Sequence, residues 1–288
     1  IKKAKDIKWA YEKGVRLFVF DSIEELKKIS DKANGAKVYC RLQVNNKGAN
    51  WPLSQKFGSS IDQAKKMMLY AKNIGLIPAG ISFHVGSQQT NISRWQDALN
   101  SCHEVLIFLK QNKIELEFIN IGGGFPVSYR DHKGNLKLFL KDLYTNIVNV
   151  FGNNGPEIFL EPGRAIVADA GVIESEVILV SRKGDENKRW VYIDIGRFGG
   201  LAETEGEAIK YNIVCPSKIK TKHGPSIIAG PTCDGADILY QKYNYLLPIN
   251  LEIGDRLRIY GTGAYTSVYS SNFNSMEKLE EYFLNSNE

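Results

Sequence analysis

Five short apolar runs, alternating with stretches of helical spacing, dominate the first half of the chain: "RLFVFD", "KVYCRLQV", "AGISFHV", "EFINI" and "EIFLE". Alternation of strand and helix at this spacing implies parallel strands with helices packed outside them. The segments that follow the strands are all different, and all are polar or glycine-rich. That favours an α/β barrel, whose site is assembled from the loops after its strands. A closed barrel of this type has eight strands, and five of them are read in this sequence.

The helical stretches carry their own marks. Ala4, Ile7 and Ala10 recur every third residue before Gly14. Ser22 and Glu25 have capping-box spacing ahead of Ile23, Leu26 and Ile29. Ile61, Ala64, Met68 and Ala71 form one stripe; Trp95, Ala98, Leu99, Cys102, Val105, Leu106 and Leu109 form another. Residues 139–151 read as a further helix. After about residue 171 the texture changes. "VIESEVILVSRK", "RWVYIDIG", "SIIAG" and "DRLRIYG" are strand-like runs broken by Gly, Pro, Asn and Asp. The expected division is therefore 1–171 for a partial α/β barrel domain and 172–288 for a mostly antiparallel β domain. The sequence opens at Ile1 inside a helical pattern, and the missing barrel strands are expected upstream of it, so it reads as a fragment of a longer chain.

Composition narrows the function classes. A net charge of +5 is mild, and the basic residues are interleaved with glutamates, so no nucleic-acid or membrane partner is called for. No apolar run has the length of a membrane span. Cys40, Cys102, Cys215 and Cys233 are far apart, which argues against a zinc site or a disulfide scaffold and fits free thiols in a reducing cytoplasm.

The strand ends carry the chemistry. In "INIGGGFP", Gly122, Gly123 and Gly124 bring bare backbone amides to one place, as a phosphate cradle or as a tight turn. "FLEPGR" sets Glu161 and Arg164 three residues apart: a carboxylate at a barrel mouth and a phosphate-binding guanidinium, or a solvated ion pair. "FHVGSQ" sets His84 before Gly86 and Ser87, where a histidine is structural or catalytic. Together these residues describe a site for a phosphate-bearing aromatic cofactor whose ring nitrogen is kept protonated. Pyridoxal phosphate needs that set.

The motifs "FHVGSQ", "INIGGGFP", "EPGR", "GPTCDGAD" and "GTGAYT" stand in the order seen in the pyridoxal-phosphate decarboxylases of the alanine-racemase fold. Through "WPLSQKFG", "SFHVGSQQT", "DIGRFGGLAET" and "YNIVCPS" the chain resembles the bacterial ornithine/lysine decarboxylases. The resemblance implies a (β/α)8 barrel with a second β domain. It implies that His84 stacks on the cofactor ring, that Ser87, Gly122, Gly123, Gly124, Arg164 and Tyr265 hold the phosphate, and that Glu161 pairs with the ring nitrogen. By the same resemblance Cys233 protonates the substrate carbon, Asp234 binds the distal ammonium, and Phe273 is an active-site aromatic. Glu207 lies near a second acidic position for that ammonium, with Glu203 competing. An obligate homodimer with shared sites follows, in which Lys56 and Asp237 pair across the interface. The Schiff-base lysine of the family falls upstream of Ile1, and Lys2, Lys3 and Lys5 are not substitutes for it.

The implied reaction is decarboxylation of ornithine or lysine to putrescine or cadaverine. Three rivals share the fold. One is an inactive relative that acts by binding regulatory partners. Another is a racemase, which would need a tyrosine where Cys233 stands. The third is diaminopimelate decarboxylase, which would show an arginine-rich set for a distal carboxylate.

Overall fold

The structure, a computed structural model, describes residues 1–52, 56–183 and 188–284. Its packing divides the chain into two compact units. The first comprises Ile1–Pro126 and Gly134–Gly163; the second comprises Val127–Lys133 and Arg164–Glu288.

In the first unit the elements run α1 (Ala4–Glu12), β1 (Leu17–Phe20), α2 (Ile23–Lys32), β2 (Lys37–Arg41), β3 (Ala49–Trp51), α3 (Ile61–Asn73), β4 (Ile77–Ser82), β5 (Ser87–Gln89), α4 (Ser93–Gln111), β6 (Phe118–Asn120), α5 (Leu136–Phe151) and β7 (Glu157–Phe159). The five expected strands pair in the order β1-β2-β4-β6-β7, all parallel. Neighbours in the sheet are therefore neighbours in the strand–helix alternation, and every carboxyl end faces the same edge. β3 and β5 form a small antiparallel pair that the sequence pattern did not announce, because strands this short show no period. The expected helical stripes face the sheet. Ala64, Met68 and Ala71 are buried on α3, and Trp95, Ala98, Leu99, Cys102, Val105 and Leu109 on α4. Trp95 stacks on Phe125 and meets Phe139 edge-on, which ties α4 to α5. On α1 only Ile7 is buried.

The capping signals resolve unevenly. Ser22 accepts from the Glu25 amide, but the Glu25 carboxylate turns to Lys2 and Lys28 instead of closing the box. Two ammonium groups within reach outcompete one backbone N–H for an ionised side chain. The complete capping box lies at Ser60 and Gln63, at the start of α3.

The second unit contains α6 (Arg164–Val167), β8 (Val172–Ser181), β9 (Arg189–Ile193), β10 (Asn212–Val214), β11 (His223–Ala229), β12 (Ile238–Pro248) and β13 (Arg256–Tyr260). These strands form one sheet ordered β10-β13-β8-β9-β11-β12. It is antiparallel as expected, except that β9 and β11 run parallel. Its core includes Tyr211, Tyr240, Tyr245, Leu239 and Leu257. Two buried tyrosines place their hydroxyls on backbone groups. Tyr240 accepts from the Tyr211 amide and donates to the Ile209 carbonyl. Tyr245 accepts from the Ile213 amide and donates to the Tyr211 carbonyl.

The division between units falls before Arg164, earlier than the 171 read from the sequence, and Val127–Lys133 joins the second unit. Side-chain burial is the reason: Val127, Tyr129 and Ala168 all belong to the second core. No change of texture in the sequence marks three residues crossing over.

Ser60→Ala should lower the unfolding free energy by about 1 kcal/mol, the ordinary worth of a helix N-cap, seen as a lower thermal midpoint. An unchanged midpoint would show that the box at α3 contributes nothing.

Candidate active site

In the first unit the carboxyl ends of β4, β6 and β7 meet at the glycine triplet. A Cβ on Gly122 would lie 2.4 Å from the Phe83 carbonyl oxygen, one on Gly123 2.3 Å from that of Glu161, and one on Gly124 2.1 Å from that of Gly86. Gly122 and Gly124 also have φ of +66° and +90°. The triplet is therefore required by backbone packing, whatever it binds. The Gly122 amide donates to Asn120 Oδ1 at 2.9 Å. The amides of Gly123 and Gly124 meet no protein acceptor among the described residues, and so remain available to an anion.

His84 lies against this triplet, its Nε2 3.6 Å from the place where a Gly123 Cβ would sit. Its Nδ1 accepts from the Gly86 amide at 3.0 Å. That bond fixes Nδ1 as the unprotonated nitrogen. Burial pulls the imidazole pKa down to about 4; the Arg41 charge adds to the fall and Glu161 opposes it. The ring is neutral at neutral pH.

Glu161, two residues beyond β7, shares a pocket with Val19, Tyr39, Arg41, Ser82, Phe83 and His84. Its Oε1 accepts from Asn120 Nδ2 at 2.7 Å. Arg41 and Asn120 escaped the sequence reading. Each is a polar residue at the carboxyl end of a strand whose other buried positions are apolar, which is the signal that would have found them. Arg41 is half-buried and sits in the fields of Glu161 and Asp21. Ser87 begins β5, opposite Trp51. Among the described residues, no lysine lines the pocket. Lys2 donates to the Val19 carbonyl and pairs with Glu25, Lys3 stands at the N-cap of α1, and Lys5 lies within that helix. Leu53, Ser54 and Gln55 of the "WPLSQKFG" motif lie outside the described residues.

A second cavity is lined by Lys2, Asp6, Ile7, Trp9, Ala10 and Phe18. Its walls are mostly apolar, and no converging polar set marks it as catalytic.

The second unit carries the remaining candidates. Arg164 is buried. Its Nη2 pairs with Glu203 at 2.5 Å, its Nη1 donates to Tyr129 Oη at 2.8 Å, and it lies 5.0 Å from the Tyr265 ring centroid. Burial disfavours the charge, but Glu203 and Tyr129 outweigh it and hold the guanidinium above its ordinary range. This pair is buried and not the solvated alternative. Tyr265 is half-exposed with φ +55°.

Among the described residues Cys233 is the one exposed cysteine; Cys40, Cys102 and Cys215 are buried. Its amide and its thiol both donate to Asn274 Oδ1, at 3.2 and 3.3 Å. Asp234 is exposed, and its Oδ1 accepts from the Ala236 amide. Phe273 packs on Phe198, ring centroids 4.4 Å apart.

The acidic positions need correcting. Glu207 accepts from the amides of Gln241, Lys242 and Tyr243 at 2.6, 2.6 and 2.7 Å. Those amides are released where the β11–β12 register jumps between Ser226↔Tyr245 and Ile228↔Tyr240. Burial raises the Glu207 pKa, but the three amides and Lys210 outweigh it and hold it below the ordinary range. The carboxylate locks a bulge and is not presented to a substrate, and the competing Glu203 is committed to Arg164. Asp237, expected at a dimer interface opposite Lys56, is buried in its own chain. It accepts from the Arg197 amide and from both the amide and hydroxyl of Thr232.

The sequence profile described as the pyridoxal-dependent decarboxylase pyridoxal binding domain matches residues 1–168, more than half of the chain. The chain belongs to the pyridoxal-dependent decarboxylases. It is 32% identical to the lysine/ornithine decarboxylase of Selenomonas ruminantium over 95% of its own length and 68% of that protein's. It is 30% identical to the diaminopimelate decarboxylase of Staphylococcus aureus (strain COL), over 97% and 68%. Among solved structures, the lysine/ornithine decarboxylase of Vibrio vulnificus complexed with putrescine superposes with a TM-score of 0.80 at 30% identity, covering 96% of this chain and 72% of that one. The chain thus spans about two thirds of the length of the relatives it matches. For a pyridoxal-dependent decarboxylase the fit of the first unit is chemical: two open amides for a phosphate, a neutral imidazole, and a carboxylate in one pocket.

Because His84 is proton-free when folded down to about pH 4 but titrates near 6.5 when exposed, the unfolded chain binds its proton first as pH falls. The histidine's contribution is complete above about pH 6.5 and lost between there and about pH 4. It amounts to about 3 kcal/mol. His84→Asn, which keeps an acceptor for the Gly86 amide, should flatten urea-unfolding stability over that window. Parallel pH curves for the two proteins would contradict this account.

Proposed function

We propose that the protein decarboxylates a basic L-amino acid, ornithine or lysine, to the corresponding diamine. The observation that carries the proposal is the shared pocket of Glu161 and a neutral His84 beside two open glycine amides. Pyridoxal phosphate, when bound, supplies a protonated ring that withdraws the electron pair left on the α-carbon as the carboxylate departs as carbon dioxide. The chain's own residues provide the setting. The Gly123 and Gly124 amides, with Ser87 of the same unit, grip the phosphate. His84 offers a flat uncharged face to the ring. Glu161 holds the proton on the ring nitrogen. The Cys233 thiol delivers a proton to the α-carbon, making the new C–H bond, and recovers one from solvent. Asp234, an exposed carboxylate, takes the substrate's distal ammonium, and Phe273 lines its path.

Two features favour a basic substrate over diaminopimelate. The Cys233 loop presents a carboxylate at Asp234, which would repel a distal carboxylate. Arg197, which reaches this loop, is already engaged: it donates to the Ala236 carbonyl and pairs with Glu205. We further propose a cytoplasmic homodimer in which the exposed Cys233–Asp234 loop serves the partner's site.

Carbon dioxide release by the purified full-length protein with pyridoxal phosphate should occur from ornithine or lysine and not from diaminopimelate. Glu161→Ala should slow it by roughly a hundredfold or more. Cys233→Ala should keep the cofactor but change where the proton is delivered, seen in the product mixture. Cofactor bound with no turnover of either amino acid would instead support the regulatory binding role.

A further inference from the structure

Three hydrogen bonds close a circuit around the end of β6. The Glu161 amide donates to the Gly122 carbonyl at 2.8 Å. The Gly122 amide donates to Asn120 Oδ1 at 2.9 Å. Asn120 Nδ2 donates to Glu161 Oε1 at 2.7 Å. Asn120 is 5% exposed, so water does not replace these partners.

The circuit has only one consistent polarity. A backbone N–H can only donate, so the Asn120 oxygen must face Gly122 and its NH2 must face Glu161. The NH2 in turn requires an acceptor, which obliges Glu161 to present a bare oxygen at Oε1. The other oxygen, Oε2, makes no hydrogen bond within the protein among the described residues. A side chain held at one oxygen by a buried amide, and at its own backbone by the same loop, has little freedom left.

We infer that Asn120 is a positioning residue for the cofactor ring. It fixes Oε1 of Glu161 as an acceptor, orients the other oxygen, and couples that orientation to the loop whose next two amides are open for the phosphate. This inference rests on the pyridoxal phosphate reading of the site. An aspartate at 120 would still accept from Gly122, so the glycine loop would survive, but it would set a second carboxylate against Glu161. Two carboxylates at hydrogen-bond distance cannot both stay ionised and must share a proton.

The test uses the full-length protein and pyridoxamine 5′-phosphate, which binds without a lysine. Affinity is measured by tryptophan quenching across pH 5 to 9. The wild type should bind with a flat protein contribution. Asn120→Asp should bind about tenfold or more weakly at neutral pH, with a new titration step in its pH profile. A wild-type-like affinity and profile in N120D would overturn the inference and leave the cofactor reading intact. Failure of the wild type itself to bind would instead remove the cofactor reading and this inference with it.

If N120D is too unstable to assay, the swapped pair N120D/E161Q decides. There the carboxylate introduced at position 120 can accept both from the Gly122 amide and from the carboxamide introduced at position 161. The thermal midpoint should therefore recover while pyridoxamine phosphate binding stays weak. No recovery, or wild-type binding by the swapped pair, would overturn the inference.

Discussion

The close approach of three backbones at Gly122, Gly123 and Gly124 is the constraint on which the first unit depends. The carbonyls of Phe83, Glu161 and Gly86 occupy the places where side chains would begin. Parallel strands lie a fixed distance apart, and their carboxyl ends can crowd together only if one supplies residues without a Cβ. The geometry of the candidate site follows from the same packing. Close approach draws the Glu161 amide onto Gly122 and brings its carboxylate within reach of Asn120. It also lays His84 against the triplet. Two amides then face outward with no partner of their own among the described residues.

The second unit solves a related problem around Asp237. A Cβ on Gly196 or Gly230 would meet its carboxylate at 2.1 or 2.4 Å, so both glycines make room for it. From that buried position it takes three donors at the base of the loop that carries Cys233 and Asp234. This explains why the cysteine stands among turn formers. The loop is arranged by hydrogen bonds to Asp237 and Asn274, and it needs no apolar flank to hold its shape.

Much of this was legible in the sequence where period and hydrophobicity coincide. All five parallel strands and the α3 and α4 stripes follow from spacing alone, because one face of each element must be buried. Strands β10 and β12 did not show. In β12, lysine, glutamine and asparagine interrupt the buried Tyr240 and Tyr245, and the register jump breaks the alternation that would have revealed them. The site was legible as residue types at strand ends, and the family resemblance supplied roles for them. What stayed hidden were the second partners. Asn120, Arg41, Tyr129 and Glu203 act through side chains that meet only after folding, and nothing local distinguishes Glu203 bound to Arg164 from Glu207 locking a bulge.

The electrostatics of the first unit separate two tasks that a histidine beside a carboxylate leaves ambiguous. An ion pair between His84 and Glu161 would charge the imidazole and neutralise the acid's effect on a ring nitrogen. The structure avoids this by burial. Desolvation is the largest influence on His84, Arg41 pushes the same way, and Glu161 alone resists. Since the one opposing group loses, neutrality of the imidazole does not depend on any single charge. A histidine that binds a proton only near pH 4 is uncharged at neutral pH, so His84 presents a neutral ring beside the glycine triplet. The carboxylate in the same pocket is Glu161, and its Oε1 is held by the Asn120 side chain.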